Sequence, residues 1–268
     1  MDPLTPRKVR SADAEIVYRV HGDGSPVILL HPFPVHHEFW LPVAGAVGTR
    51  YRMILPDLRG HGDSEVGAGP ATMAKHAADI AAVMDDAQVG RAPLVGVSIG
   101  GYALFEFWRK FRGRVAALVL CNTKAQADAP EARAGRLQAA KDVLERGAEP
   151  FFESMIAKVL GRSTRESRPD LADGALRMMR KMSPQSVARV QEGMAARPDS
   201  VDTLKTIGVP SLLITGEEDI MTGVNEAELM HRHISGSRMC VLPKAGHYSA
   251  WEQPEAFSRL LRQFLDGL

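Results

Sequence analysis

Seven strand-like apolar runs, spaced along the chain and mostly separated by helix-like segments, constrain the fold more than any other feature of this sequence. AEIVYRV and PVILLH come first, split by the Gly/Asp turn HGDGS, and read as a strand pair ending near His31. YRMILPD (51–57), APLVGVS (92–98), RVAALVLCN (114–122), VPSLLITG (209–216) and SRMCVLP (237–243) follow. From PVILLH onward the runs are continuously apolar, as strands are in a parallel sheet covered on both faces. Between runs lie MAKHAADIAAVMDDA, SIGGYALFEFWRKF, NEAELMHRHI and PEAFSRLLRQFL, which carry helical periodicity. Alternation of this kind predicts right-handed βαβ units and an α/β fold with a mostly parallel, doubly wound sheet.

The alternation breaks once. Residues 124–200 contain no strand-like run, only amphipathic helical sequence such as ARAGRLQAAKDVLERG and EPFFESMIAKVLG, punctuated by SRPD, MSPQS and ARPDS. So long an insertion must build its own helical layer, and in an open α/β sheet it emerges at the strands' C-terminal ends, where ligands bind. The expected organisation is a main domain from 1–123 and 201–268 with a helical cap over 124–200. That cap holds five of the twelve methionines, Met155, Met178, Met179, Met182 and Met194, with Phe151 and Phe152. Flexible thioethers suit either the cap's own core or an adaptable pocket roof.

A chain of 268 residues, 45% hydrophobic and 24% charged, fits one such domain with an insertion. Its 33 basic and 32 acidic residues nearly cancel, so there is no global field to gather nucleic acid or an anionic membrane, and a small-molecule partner is expected. The opening MDPLTPRKVRSADAE has no apolar leader-like core, and no run approaches the ~18 apolar residues of a membrane span, so the expected location is cytoplasmic. Cys121 and Cys240 both sit in apolar runs and read as buried small hydrophobes.

In PLVGVSIGGYAL (93–104) a strand-like run meets a helix-like one, with Ser98 among three glycines at the join. A phosphate loop there would need a lysine, and nothing basic occurs before Arg109; Gly96, Gly100 and Gly101 also miss the dinucleotide spacing G-x-G-x-x-G. Gly96-Val97-Ser98-Ile99-Gly100 is instead G-x-S-x-G, in which a nucleophilic serine sits on a strained strand-to-helix corner. Side chains at 96 and 100 would collide where strand and helix nearly touch, and the hydroxyl is held at a helix N-terminus that favours negative charge. Ser98 is therefore predicted at positive φ, within hydrogen-bond reach of a base.

With this elbow, the acid and base follow the serine in the order Ser, Asp or Glu, His. LLITGEEDI ends a strand in Glu217, Glu218 and Asp219, and VLPKAGHYSAW ends the last strand in His247. Asp219 is the preferred acid, Glu218 its competitor, and His247 the base. Two oxyanion donors are needed. Ile99 N–H comes free at the helix start, and Phe33 N–H is the single donor within Pro32-Phe33-Pro34, since proline has none. His36 and His37 precede Glu38 at an expected helix start without the H-E-x-x-H spacing of a zinc site, so no metal is expected. His231 and His233 are placed on a solvated helix face.

HPFP (31–34), DLRGHGDSE (57–65), GVSIGG (96–101), GEED (216–219) and GHYSAWEQPEAF (246–257) together resemble the α/β-hydrolase fold superfamily, especially bacterial esterases and 3-oxoadipate enol-lactonase-like members. The resemblance spans nearly the whole chain outside 124–200. It implies Ser98 as nucleophile, His247 as base, Asp219 as acid, the Phe33 and Ile99 amides as oxyanion hole, no cofactor and no metal, with the helical cap inserted after the sixth strand. The family's usual His-Gly is His31-Pro32 here, which leaves the Phe33 amide in place. Arg59 and His61 are expected to buttress the loops around the site.

The same resemblance disfavours neighbours. Haloalkane dehalogenases and epoxide hydrolases carry an aspartate at the position of Ser98, and the tyrosines here, 18, 51, 102 and 248, all fall outside the cap. The expected activity is hydrolysis of carboxylic esters or lactones through an acyl-enzyme on Ser98. A perhydrolase or C–C bond hydrolase with the same three residues, and a small-molecule-binding receptor on this fold, are the alternatives. The segment 124–200 carries 14 basic against 11 acidic residues, so an anionic substrate would require Lys124, Arg133 or Arg136 to face inward.

Overall fold

A computed structural model describes residues 5–268; the first four residues of the expected main domain lie outside the described residues. Eight strands form one sheet: β1 (Arg7–Ser11), β2 (Ala14–His21), β3 (Ser25–Leu30), β4 (Tyr51–Pro56), β5 (Ala92–Val97), β6 (Val115–Cys121), β7 (Ser211–Gly216) and β8 (Arg238–Leu242). The spatial order is β1-β2-β4-β3-β5-β6-β7-β8. β1 and β2 run antiparallel to their neighbours, and every pairing from β4 to β8 is parallel. The apolar residues of β3, β5 and β6, Val27–Leu30, Leu94–Val95 and Ala117–Leu120, are all buried, as their uninterrupted hydrophobicity requires of strands covered on both faces.

Three details differ from the sequence reading. β1, RKVRS, carries three basic residues and lacks an apolar run, so it shows no strand signal of its own; it forms by pairing with β2 from Arg7↔Tyr18 to Ser11↔Ala14. The first two apolar runs are not partners, because β4 inserts between β2 and β3. Cys240 is only partly buried, since β8 is the sheet's edge, whereas Cys121 on β6 is fully buried; both are free thiols.

The helices of the first half are α1 (Leu41–Val47), α2 (Met73–Asp86) and α3 (Ile99–Phe111). Between β6 and β7 come α4 (Pro130–Arg146), α5 (Glu149–Val159), α6 (Arg162–Ser167), α7 (Pro169–Met179), α8 (Pro184–Ala195) and the short α9 (Val201–Leu204). The chain closes with α10 (Val224–His233), α11 (Ser249–Glu252) and α12 (Pro254–Leu265). Proline stands in the first turn of α4, α5, α7, α8 and α12, where its missing N–H costs nothing. α2 packs with α3 and α1 with α12, and helices flank the sheet on both sides. Among the described residues no helix is long and apolar enough to cross a membrane.

The strand order reverses between β3 and β5, which pair through Leu30↔Gly96. Such a reversal opens a crevice beyond the strands' C-terminal ends. The loops after β3 and β5 carry Phe33 and Ser98 to that crevice.

Candidate active site

Ser98 follows β5 and caps α3 at φ 55°, ψ −115°, a left-handed conformation costing a non-glycine residue about 1–3 kcal/mol. Its neighbours explain how the corner stays this tight. A Cβ on Gly96 would lie 2.6 Å from the carbonyl carbon of Gly100, and one on Gly100 would lie 2.7 Å from the Leu30 carbonyl oxygen. Strand and helix therefore touch backbone to backbone. The corner is held from β6: Ser98 N donates to Cys121 O over 3.0 Å, and Thr123 Oγ1 donates to Ser98 O over 2.8 Å.

His247 lies in the loop between β8 and α11 and is buried. Its Nδ1 is 2.9 Å from Asp219 Oδ2 and 3.2 Å from Thr222 Oγ1. Asp219 takes further donors: Asn122 Nδ2 at 2.9 Å and Thr222 Oγ1 at 2.7 Å on Oδ2, and the amides of Met221 and Thr222 at 2.8 and 3.0 Å on Oδ1. Burial opposes ionisation of this carboxyl, yet His247 and the surrounding donors outweigh it and hold Asp219 well below the usual carboxylate range. The competing acids face elsewhere. Glu218 accepts from Ser163 N at 2.8 Å and Ser163 Oγ at 2.5 Å, and Glu217 accepts from Lys244 N at 3.2 Å.

No hydrogen bond joins Ser98 Oγ to His247, contrary to the contact anticipated from the sequence: His247 Nε2 is buried and has no hydrogen-bond partner among the described residues. The two are linked indirectly: Thr123 Oγ1 donates to Ser98 O, and Asn122, next to Thr123 in the chain, donates to Asp219, which faces His247.

Phe33 is buried in the loop after β3; its carbonyl accepts from Tyr248 Oη at 3.0 Å and its ring lies 5.7 Å from that of His61. Ile99 opens α3, so its amide has no intrahelical acceptor. Over this region α5 brings Phe151 to 5.9 Å from the Phe33 ring, while Phe152 and all five methionines of 124–200 are buried. The inserted bases are engaged. Asp128 is 2.6 Å from Arg197, 2.6 Å from Arg136 and 3.5 Å from Lys124. Arg197, absent from the sequence expectation, lies with Cζ 4.2 Å over the Tyr102 ring, and Arg133 is exposed on α4.

The remaining motif residues form buried supports. Arg59 makes two 2.7 Å bonds to Asp79, and His61 Nδ1 lies 3.0 Å from Arg59 O. His36, His37 and Glu38 bring possible metal-ligating atoms within 4.8 Å of one another. However, His37 Nδ1 already faces Asp57 Oδ1 at 2.7 Å and the Arg19 guanidinium at 3.1 Å, a cation that repels another. His231 is exposed and His233 half-buried on α10. Asn122, Thr222 and Tyr248 were missed by sequence reasoning, since single polar residues in the loops after strands carry no spacing signal.

A family profile described as alpha/beta hydrolase fold matches residues 25–254. The chain is 27% identical to 3-oxoadipate enol-lactonase 2 of Acinetobacter baylyi, over 92% of this chain and 91% of that one. It is 27% identical to a pimeloyl-[acyl-carrier protein] methyl ester esterase of Neisseria meningitidis, over 90% and 94% respectively. The solved structure of a thermophilic esterase from Thermogutta terrifontis, malate bound, is similar with a TM-score of 0.95 at 35% identity, covering 98% of each chain.

Proposed function

We propose, because this chain belongs to the alpha/beta hydrolase fold family, that it is a cofactor-free serine hydrolase of small neutral carboxylic esters and lactones. The observation that carries this reading is the buried His247–Asp219 pair, whose Nδ1 contact of 2.9 Å leaves Nε2 without a partner among the described residues, together with a serine held on a strained strand-to-helix corner. In the proposed reaction Ser98 Oγ attacks the carbonyl carbon while His247 Nε2 takes its proton. The tetrahedral intermediate's oxyanion is met by the amides of Phe33 and Ile99. Collapse breaks the ester bond, and the leaving alkoxide takes the proton from Nε2. Water then repeats the sequence in reverse, giving the carboxylic acid and free Ser98. Asp219 holds the imidazole's tautomer and stabilises its charged form. Residues 124–200 act as the cap of a main domain formed by 1–123 and 201–268.

Preference for a neutral substrate rests on the pairing of Arg197, Arg136 and Lys124 with one buried aspartate, Asp128, which engages the basic groups an anionic substrate would need. The test is kcat/KM across p-nitrophenyl esters, neutral lactones and a carboxylate-bearing enol-lactone, with fluorophosphonate labelling of wild type and Ser98→Ala. Labelling confined to wild type, with repeated turnover of neutral esters, is expected. Preference above about tenfold for the carboxylated lactone, ~1.4 kcal/mol in transition-state binding, would overturn the substrate assignment. Tight ligand binding without turnover would overturn the enzyme.

A further inference from the structure

The loop that carries His247 meets the helical insertion around a buried carboxylate for which the proposed reaction has no use. Glu252, at the end of α11, is 6% exposed. Its Oε2 accepts from Gly161 N at 2.8 Å and Thr164 Oγ1 at 2.6 Å, while Oε1 accepts from Gly246 N at 2.9 Å. Burial pushes the Glu252 carboxyl up, and the converging donors pull it back. The two backbones meet here: a Cβ on Gly246 would lie 2.2 Å from Gly161 N and 2.7 Å from the Leu160 carbonyl carbon. Tyr248 N also donates to Val159 O at 3.0 Å.

His247 is held at two ends. Asp219 and Thr222 fix the ring at Nδ1, but a ring pinned at one nitrogen still pivots unless its backbone is held too. That backbone is gripped one residue earlier, where Gly246 N meets Glu252 and Gly246 O accepts from Asn122 Nδ2 at 3.2 Å. Three donors converge on Glu252, and only a carboxylate offers acceptors on both arms; an amide would turn an NH2 toward an N–H or O–H.

We propose that Glu252 is a positioning residue for the base: by tying Gly246 to Gly161 and Thr164 it sets the height of the His247 imidazole over Ser98 and makes that height depend on the seat of the insertion. The inference rests on the reading of His247 as the base. A residue that only anchored the insertion would alter substrate binding, whereas one acting through His247 alters the chemical step.

The experiment compares full-length wild type, Ser98→Ala, His247→Ala, Glu252→Gln and the double variant His247→Ala/Glu252→Gln, using p-nitrophenyl acetate kinetics and the rate of fluorophosphonate labelling. Glu252→Gln is expected to lower kcat and the labelling rate together by about tenfold or more, with KM within about twofold of wild type. In the His247→Ala background the same change is expected to cost less than about twofold, because residues acting as a unit are not additive. Equal losses in both backgrounds, or a loss confined to KM, would overturn the positioning role. If Ser98→Ala or His247→Ala keeps full activity, the triad reading fails and this inference with it. If both are inactive while Glu252→Gln is unimpaired, this inference alone fails. Should Glu252→Gln not fold, Thr164→Val decides: it removes one donor and keeps the charge, kcat is expected to fall by about threefold or more at constant KM, and an unchanged kcat would overturn the proposal.

Discussion

Asn122 Nδ2 donates to Asp219 Oδ2 over 2.9 Å, and that same oxygen faces His247 Nδ1 at 2.9 Å. Asn122 immediately follows β6 and Asp219 follows β7, two strands paired through Cys121↔Ile214, so sheet register brings the amide and the carboxylate together. With Thr222 also donating to Oδ2, Asp219 sits in a shell of donors and presents a fixed negative charge to the imidazole.

Asp219→Asn is therefore expected to fold and to lose kcat on the order of 10⁴-fold, the cost of the equivalent change in a serine protease, because the amide presents the wrong partner to Nδ1. Glu217→Gln and Glu218→Gln, whose carboxylates bind Lys244 N and Ser163, are expected to cost about tenfold or less. Steady-state kinetics on a neutral ester check this. A larger loss in Glu218→Gln than in Asp219→Asn would reassign the acid.

Gly100→Ala tests the elbow. The new methyl would lie 2.7 Å from Leu30 O and 2.9 Å from Leu30 Cβ, against backbone that cannot swing aside. A loss of about 1–3 kcal/mol in stability is expected from such overpacking, together with loss of activity as the Ser98 corner opens. Thermal melts and ester hydrolysis measured together check it; a variant with wild-type melting and activity would remove the steric argument.

Acid is expected to weaken the fold through buried histidines. Burial pushes His61 down from 6.5 to about 4, and does the same in direction to His31 and His76. The unfolded chain binds these protons near its ordinary value while the folded one refuses them until lower pH. The stabilisation is thus fully present above about 6.5 and is withdrawn as pH falls toward 4, by about 1 kcal/mol per pH unit for each such group. Urea midpoints at pH 7.5, 6 and 5 check the slope, and His61→Gln is expected to flatten it. Constant midpoints would overturn the prediction.

Asp128→Asn is expected to be among the costly substitutions. Asp128 is buried against Arg197, itself 3% exposed in its side chain, with Arg136 and Lys124 close by. Removing one partner of a buried ion pair costs about 3–5 kcal/mol because the remaining charge is stranded. The same change frees basic groups beside Tyr102, so kcat/KM for a carboxylated lactone is expected to rise relative to a neutral ester. Denaturation midpoints and the substrate panel check the two outcomes separately.

The central strands, the elbow and the loops that end in Asp219 and His247 were legible in the sequence because each leaves a local mark. A strand buried on both faces needs an unbroken apolar run, and a serine on a left-handed corner needs glycines at 96 and 100, whatever the rest of the chain does. Partnership leaves no such mark. β1 became a strand by pairing with β2, β4 came between β2 and β3, and Cys240 fell on an edge, all decided by sheet order. The grip of Asn122 and Thr222 on Asp219, of Tyr248 on Phe33, and of Glu252 on Gly161, Thr164 and Gly246 joins residues up to 215 positions apart. The energy of a hydrogen bond depends on where its two ends are brought, and only the tertiary structure brings them together.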